Sequence, residues 1–365
     1  MATPKETLWE IEPHTVAKHA ILRRYLGAWF AILGTTNRRI AYIDGFCGPG
    51  QYTGGEPGSP IVALEEALKH ADRLSKTQIT FLLADERSDR TAHLRDIVDQ
   101  FPVPPNITIA IETGQFEHKL AQLLDGLDAD GQCLAPTFAF VDPFGFKGLP
   151  FHLVRRLLCN PKTEVFVNVM ADAINRFLDH PDDQITSHIV DLFGTDEVLE
   201  IARDPRVDDR IEALRRLYQL QLERHARFVR YFEMRDHNDR VIYYLFFAGN
   251  HRQGHKKMKE AFWKVDTSSG LRFSDATNPC QPVLFEVDGT PGLAEHLSSV
   301  FSRKQLYARG VLEHVEDATA FTASHARKAL KLLEGDGRIM VADTKSDGKK
   351  RRRNTYPPNS LIRFG

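Results

Sequence analysis

Tyr42-Ile43-Asp44-Gly45-Phe46-Cys47-Gly48-Pro49-Gly50 carries an apolar run straight into an acidic residue and a glycine-rich turn. Arg39 to Ile43 has the composition of a buried strand, and Ser59-Pro60 downstream opens a helix, with Ser59 as the expected N-cap. In an open α/β sheet, ligands settle at such a strand-to-helix passage. The glycines let the backbone approach a ligand where a Cβ would collide. No lysine follows them, so the stretch is not a phosphate-gripping P-loop.

Working outward, short apolar segments alternate with helical patterns. Gln78–Ala84, Asn106–Ile111, Thr137–Val141 and Glu164–Val169 read as further strands. The helices between them carry Leu64 and Leu68, then Leu94, Ile97 and Val98, then Leu120, Leu123 and Leu124, then Leu153, Val154, Leu157 and Leu158. This alternation predicts a parallel sheet covered on both faces. Residues 171–226 break it and read as a helical insertion. Two β-rich runs, 227–234 and 240–248, flank the turn Arg235-Asp236-His237-Asn238-Asp239 and predict an antiparallel edge hairpin. Ahead of the first strand, Val16, Ala20, Ile21, Leu22, Leu26, Trp29, Phe30 and Leu33 recur at helical spacing and predict a lid helix within residues 1–38.

The main α/β domain is expected over 39–278. The proline- and glycine-rich run Pro279–Pro291 reads as a boundary, and 292–365 as a small separate module. Helices near 293–300, 304–315 and 322–333 precede strands at 338–342 and 360–364, an order that resembles a winged helix. The basic stretch Lys349-Lys350-Arg351-Arg352-Arg353 falls in its wing, flanked by Arg327, Lys328 and Lys331 on the last helix. From Phe321 to Gly365 there are eleven Lys/Arg and four Asp/Glu, a local charge of +7 under a formal net charge of −1 for all 365 residues. A basic module on an acidic body is the footprint of a nucleic-acid-binding protein. A solvated loop in a protein-docking module would also carry such charge.

Other classes recede. No run of about 18 apolar residues exists, which argues against a membrane span, and the polar first ten residues lack a secretory core. Cys47, Cys133, Cys159 and Cys280 are far apart and form no C-x-x-C pair, so neither a metal site nor a disulfide scaffold is expected and a reducing cytoplasm is. Cys47 reads as a small residue in a tight place rather than as a catalytic thiol.

The D-x-F-x-G-x-G spacing of Asp44, Phe46, Gly48 and Gly50 resembles the first motif of class I S-adenosylmethionine-dependent methyltransferases. That resemblance implies a Rossmann-like sheet, with those residues near the methionine half of the cofactor. Asp85 or Glu86, closing the second strand, would accept the ribose hydroxyls. Gln115 and Phe116, after the third, stand where the family often has an acid contacting adenine. Asp142-Pro143-Phe144-Gly145 resembles the D/N-P-P-Y/F signature of nucleobase amino-methyltransferases, and more closely the D-P-F-G form of tRNA guanine-N2 dimethyltransferases. There Asp142 and the Pro143 carbonyl would accept the hydrogens of an exocyclic amine while Phe144 stacks on the base. Asn168, at the next strand end, reads either as a substrate contact or as a cap. D-P-x-G is also an ordinary turn, and surface acids also begin helices.

Over residues 13–265 the chain also resembles the three-Cys-motif partner (TcmP) proteins. The likeness rests on His14-Thr15, Lys18, Ile21-Leu22, Tyr25-Leu26 and Trp29, on Tyr42 to Gly50, on Gly58-Ser59-Pro60, on Phe138 to Gly145, on Val167-Asn168, and on Asn250-His251, Gly254 and Met258. It implies a methyltransferase-like fold and a separate three-cysteine partner resembling radical-SAM enzymes. The leading expectation is thus a methyltransferase acting on an exocyclic base amine of DNA or RNA. A non-catalytic scaffold delivering nucleic acid to the partner is the rival. A nicotinamide-dependent enzyme is disfavoured, since the glycines are not spaced G-x-G-x-x-G.

Overall fold

The computed structural model describes residues 4–145, 148–204, 209–276 and 289–365. Two compact units emerge, residues 1–261 with 272–278, and residues 262–271 with 279–365. The expected boundary at 279–291 lies mostly outside the described residues.

The first unit opens with α1 (Pro13–Thr36), followed by β1 (Arg39–Asp44), α2 (Ser59–Leu68), α3 (Ala71–Leu74), β2 (Gln78–Asp85), α4 (Ser88–Val98), β3 (Ile107–Thr113), α5 (Phe116–Ala129), β4 (Thr137–Val141), α6 (Phe151–Cys159) and β5 (Thr163–Val169). Every residue of β4 and β5 is buried, as expected of central strands covered on both faces. Helices α7 (Ala171–Phe177), α8 (Asp183–Phe193), α9 (Glu197–Arg203) and α10 (Arg210–Glu223) make up the expected insertion. The hairpin β6 (Phe228–Arg235) and β7 (Val241–Gly249) follows, then α11 (Arg252–Val265), whose residues from 262 on fall in the second unit, and the short β8 (Arg272–Ser274).

The sheet order is β3-β2-β1-β4-β5-β7-β6-β8. Strands β1 to β5 pair in parallel, and β7 runs antiparallel to both β5 and β6. A Rossmann-like sheet in the order 3-2-1-4-5-7-6 with a reversed seventh strand is the class I methyltransferase fold. The chain order reverses between β1 and β4, and the crevice outside their carboxyl ends is the ligand-binding place of such sheets.

Two local expectations are corrected. Val16, placed on the inward stripe of α1, is 50% exposed, while His14, Lys18 and His19 are buried. Ionic partners draw the first two inward, as set out below. Ser59 does not cap α2; Gly58 holds that position, and the Ser59 hydroxyl donates to Asp44 Oδ2 at 2.7 Å. A fully buried carboxylate needs the donors within its reach.

The second unit contains α12 (Thr290–Val300), β9 (Gln305–Tyr307), α13 (Ala308–Ala318), α14 (Ala323–Gly335), β10 (Ile339–Val341) and β11 (Leu361–Phe364). The three strands form an antiparallel sheet in the order β10-β11-β9. Its core joins Leu297, Val311, Leu330, Ile362 and Phe364. A capping box of Thr322 and His325 starts α14. Strand β9 was not legible in the sequence. Three residues give too short a period to read, and only β11 defines it.

Candidate active site

The carboxyl ends of β1, β2 and β4 gather the residues the motifs marked. Asp44 is fully buried at the end of β1. It accepts hydrogen bonds from Ser59, from the Tyr42 hydroxyl at 3.1 Å and from the Phe46 amide at 3.3 Å. Burial pushes its carboxyl up to about 7 against those donors, and the charge of Asp142 adds to the rise. Gly48 and Gly50 take positive φ values of 60° and 82°, which side chains rarely adopt. A Cβ on Gly50 would also stand 2.6 Å from Leu94 Cδ1, so packing as well as conformation requires the glycine.

Asp85 is buried at the end of β2 and accepts the Gly48 amide at 3.2 Å and the Arg87 amide at 2.9 Å. The glycine turn is thus tied to the neighbouring strand end. Burial raises the Asp85 carboxyl; the Arg87 amide and Arg90, 3.9 Å away, oppose this. Glu86 is exposed, which separates the two acids. Gln115 is exposed at the N-cap of α5. Phe116 is a correction. At 3% exposure it belongs to the core, packed against Phe46 and beneath Gly45, where a Cβ would come within 2.2 Å of its ring, so it has no face to offer adenine. Cys47 is buried and its thiol is pushed well up by desolvation, so it is not a nucleophile at neutral pH.

At the end of β4, Asp142 is engaged on both oxygens. Lys18 of α1 donates to Oδ2, and the Asn168 side-chain amide donates to Oδ1 at 2.8 Å. A carboxylate only accepts, so the amide nitrogen of Asn168 faces it, and the carbonyl Oδ1 is buried without a partner among the described residues. The Tyr243 hydroxyl, from β7, is likewise buried and unpartnered. Lys18 Nζ lies 5.5 Å from the centre of the Tyr243 ring. Nearby, His14 contacts Glu12 at 3.0 Å and Asp275 at 2.8 Å; burial would lower its pKa, but the two acids outweigh this and raise it.

Two small cavities join these parts. One, about 30 Å³, is lined by Phe46, Gly48, Gly50, Ser59, Asp142 and Phe144, so the loops after β1 and β4 do converge. The other, about 50 Å³, is lined by Lys18, Asp142, Pro143, Asn168 and Tyr243. Trp9 borders both. Its ring meets Phe144 edge-on at 5.7 Å and Tyr52 at 5.5 Å, and the Arg90 guanidinium lies 4.7 Å from its centre. Ahead of it, Arg87 and Arg90 hold the carbonyls of Pro4 and Lys5. The space between the loops is therefore largely filled by the chain's own N-terminal segment. Sequence reasoning missed Trp9, Tyr243 and the buried state of Lys18. For Lys18 a signal existed: it shares the helical stripe of His14, Leu22, Tyr25 and Trp29.

In the second unit, Arg327, Lys328, Lys331, Lys349, Lys350, Arg352 and Arg353 are exposed. Arg351 is a correction. It is buried, paired to Glu334 at 2.6 Å and bonded to the Thr355 carbonyl at 3.1 Å, so it holds the β10–β11 loop and cannot grip phosphate. Among the described residues, no cluster of His, Cys, Asp and Glu could hold a metal and no helix is long and apolar enough to cross a membrane.

No family model matches the chain, and no curated protein matches it. Solved structures superpose on part of it. Protein LPL1258 from Legionella pneumophila is 12% identical with a TM-score of 0.38, over 66% of this chain and 85% of that one. An O-methyltransferase from Bacillus cereus in complex with SAH is 13% identical, with a TM-score of 0.35, over 66% and 83%. Human methyltransferase-like protein 13, also in complex with SAH, is 12% identical, with a TM-score of 0.34, over 76% and 97%. The class I fold rests on strand order and direction rather than on these partial superpositions.

Proposed function

We propose that the chain is an S-adenosylmethionine-dependent methyltransferase and that its acceptor is an exocyclic amine of a nucleobase. The observation that carries this reading is the convergence of the Gly48–Gly50 turn and the Asp142-Pro143-Phe144 loop on one cavity. The donor set suits the cofactor: a carboxylate at the end of β2, Asp85, for the ribose hydroxyls, and a turn free of Cβ atoms for close backbone approach. Its volume does not fit until the Trp9 side chain moves out.

The cofactor, when bound, supplies a sulfonium methyl group. This chain's residues would orient the acceptor. The Pro143 carbonyl and Asn168 Oδ1 accept the two amine hydrogens, with Asp142 fixing Asn168 behind them. Lys18 balances the charge of Asp142, and Phe144 covers the base. Alignment of this kind saves up to roughly 7–11 kcal/mol of barrier. Asn168 thus takes over part of the accepting role first given to Asp142, whose own oxygens are engaged.

The second unit supports the nucleic-acid reading through its element order of helix, strand, helix, helix, strand, strand, which is that of a winged helix, and through seven exposed Lys/Arg residues on α14 and the β10–β11 loop. The motif strings favour membership of the three-Cys-motif partner proteins, a partner with a three-cysteine centre, and a reducing cytoplasm. A scaffold reading is favoured by one observation, the filling of the cavity by Trp9. Calorimetry with S-adenosylhomocysteine and nucleoside mass spectrometry after incubation with S-adenosylmethionine and DNA or RNA separate the two. Binding weakened by Asp85→Ala, with methylated base formed, supports the enzyme. Binding without product on either nucleic acid supports the scaffold. No binding removes the cofactor assignment.

A further inference from the structure

Tyr25, Trp29, His251 and Gly254 belong to the motif strings but take no part in the strand-end site. They meet at the other end of the sheet, around a cavity of about 230 Å³. Its floor is Glu164, the second residue of β5. Asn168 lies four residues further along the strand, about 13 Å away at 3.3 Å per residue, so the two cavities open at opposite sheet ends.

The floor is built for a polar contact. Glu164 is 4% exposed, and one oxygen accepts from the buried Tyr25 hydroxyl. Among the described residues its other oxygen makes no hydrogen bond. Trp29, 3% exposed, turns its indole N–H toward the same region without a partner of normal geometry. Burial pushes the Glu164 carboxyl up to about 7, against the opposing pull of Tyr25 and Trp29. The first turn of α11 closes over it only because residue 254 is glycine; a Cβ there would fall 1.8 Å from Glu164 Oε1. The indole N–H and the second carboxylate oxygen pull on one another outside normal hydrogen-bonding geometry, so a ligand that gives each a well-placed partner is favoured.

The walls and rim differ from the floor. Ile32 and Leu33 of α1 give an apolar side suited to a flat ring. At the opening stand Lys162, Lys257 and His251. Among the described residues Lys162 bonds only the neutral Asn37 side chain, at 2.9 Å, and so keeps its charge available; Lys257 is paired with Glu260 at 2.7 Å.

We propose that this cavity is a second ligand site, which takes a heteroaromatic anion. The ring lies against the aliphatic wall of Ile32 and Leu33, an N–H on its inner edge donates to Glu164, an acceptor atom beside it receives the Trp29 N–H, and the anionic head meets Lys162 at the mouth. The site does not depend on the methyltransferase reading. The head is a phosphate or a carboxylate, and both present the same charge to the rim.

The test is calorimetric titration of the full chain with adenosine monophosphate and, separately, with orotate, a carboxylate whose ring N–H lies between two acceptor oxygens. Saturable binding of either supports the site and identifies the head. Glu164→Ala and Trp29→Phe should each weaken it about tenfold, the effect of losing one buried hydrogen bond to a charged or well-aligned partner. Trp29→Phe preserves the ring and guards against a folding defect, which thermal unfolding of both variants monitors. Asp142→Ala should leave binding unchanged. Binding of neither probe overturns the proposal, as does binding lost in Asp142→Ala and kept in Glu164→Ala, which would move the ligand to the strand-end cavity.

Discussion

Asn168 donates its amide hydrogen to the Asp142 carboxylate across 2.8 Å and leaves its own carbonyl oxygen buried without a partner. A side chain fixed on one side and unsatisfied on the other is poised to receive a donor. Asn168→Ala should lower methyl transfer by roughly a hundredfold, the scale of a misplaced acceptor, with little change in S-adenosylhomocysteine affinity. Asn168→Asp should do more. It sets two carboxylates within hydrogen-bonding distance, where both cannot stay ionised. That variant should be least stable at alkaline pH and regain stability as one carboxyl takes up a proton. Thermal unfolding between pH 5 and 9 reads this directly, and a pH-independent difference from wild type would refute it.

Lys18 answers Asp142 from the other side, and both are largely buried. Lys18→Met keeps the stem and removes the charge. Breaking a buried pair on one side costs about 3–5 kcal/mol; Asp142, 19% exposed, retains some water, so a loss below about 3 kcal/mol is expected here. Chemical denaturation measures it. A variant as stable as wild type would mean the pair contributes nothing to the fold.

How much of this could be read in advance follows the range of each interaction. Asp44, Gly48, Gly50, Asp85 and Asp142 are strand-end residues, and strand ends in a parallel sheet assemble on one edge by topology alone. Their grouping was legible from local pattern. Trp9 and Tyr243 reach the same place from outside that pattern, Trp9 from a segment before the first helix and Tyr243 from the antiparallel strand, and only tertiary packing brings them in. Phe116 and Arg351 failed for the converse reason. Both sit within apt motifs, yet burial gives the first a core position and the second a carboxylate partner.

Trp9 makes its own prediction. Its indole stands over Gly48, where a Cβ would lie 3.6 Å from the ring, and it packs on Arg90, Tyr52 and Phe144. A cofactor entering between the two loops must displace it. Trp9→Ala should therefore tighten S-adenosylhomocysteine binding, by up to about tenfold if the contacts given up total about 1.4 kcal/mol. Weaker binding would instead make Trp9 part of the cofactor's enclosure.

Two buried carboxyls set a pH dependence. Asp44 and Glu164 are both raised to about 7 by burial. Between the unfolded value of about 4 and the folded value, the native state holds a proton the unfolded chain has lost, so stability falls as pH rises. For Glu164 the full contribution is present below about pH 4.3 and is lost on passing through 7, on the order of 3 kcal/mol in all. His19, lowered to about 3 by burial, acts in the opposite sense below its ordinary value. Only a difference curve isolates one group. Wild type minus Glu164→Gln should fall between pH 5 and 7.5 and level off above, and a flat difference would return Glu164 to an ordinary carboxylate.

The basic loop of the second unit contains two kinds of arginine, and substitution should separate them. Arg351 is buried against Glu334 and Tyr356, with hydrogen bonds to Glu334 and the Thr355 carbonyl. Arg351→Ala strands a partly buried Glu334 carboxylate, which the Tyr356 hydroxyl would still hold at 2.6 Å; Glu334 is 20% exposed, so a loss below about 3 kcal/mol is expected. Lys350 and Arg353 are exposed. Replacing either by alanine should leave unfolding unchanged within about 0.5 kcal/mol. If the loop grips a duplex backbone, each of those exposed substitutions also reduces the slope of log affinity against log salt by about 0.9. Unaltered salt slopes in both would take the loop out of any nucleic-acid interface while leaving the structural role of Arg351 intact.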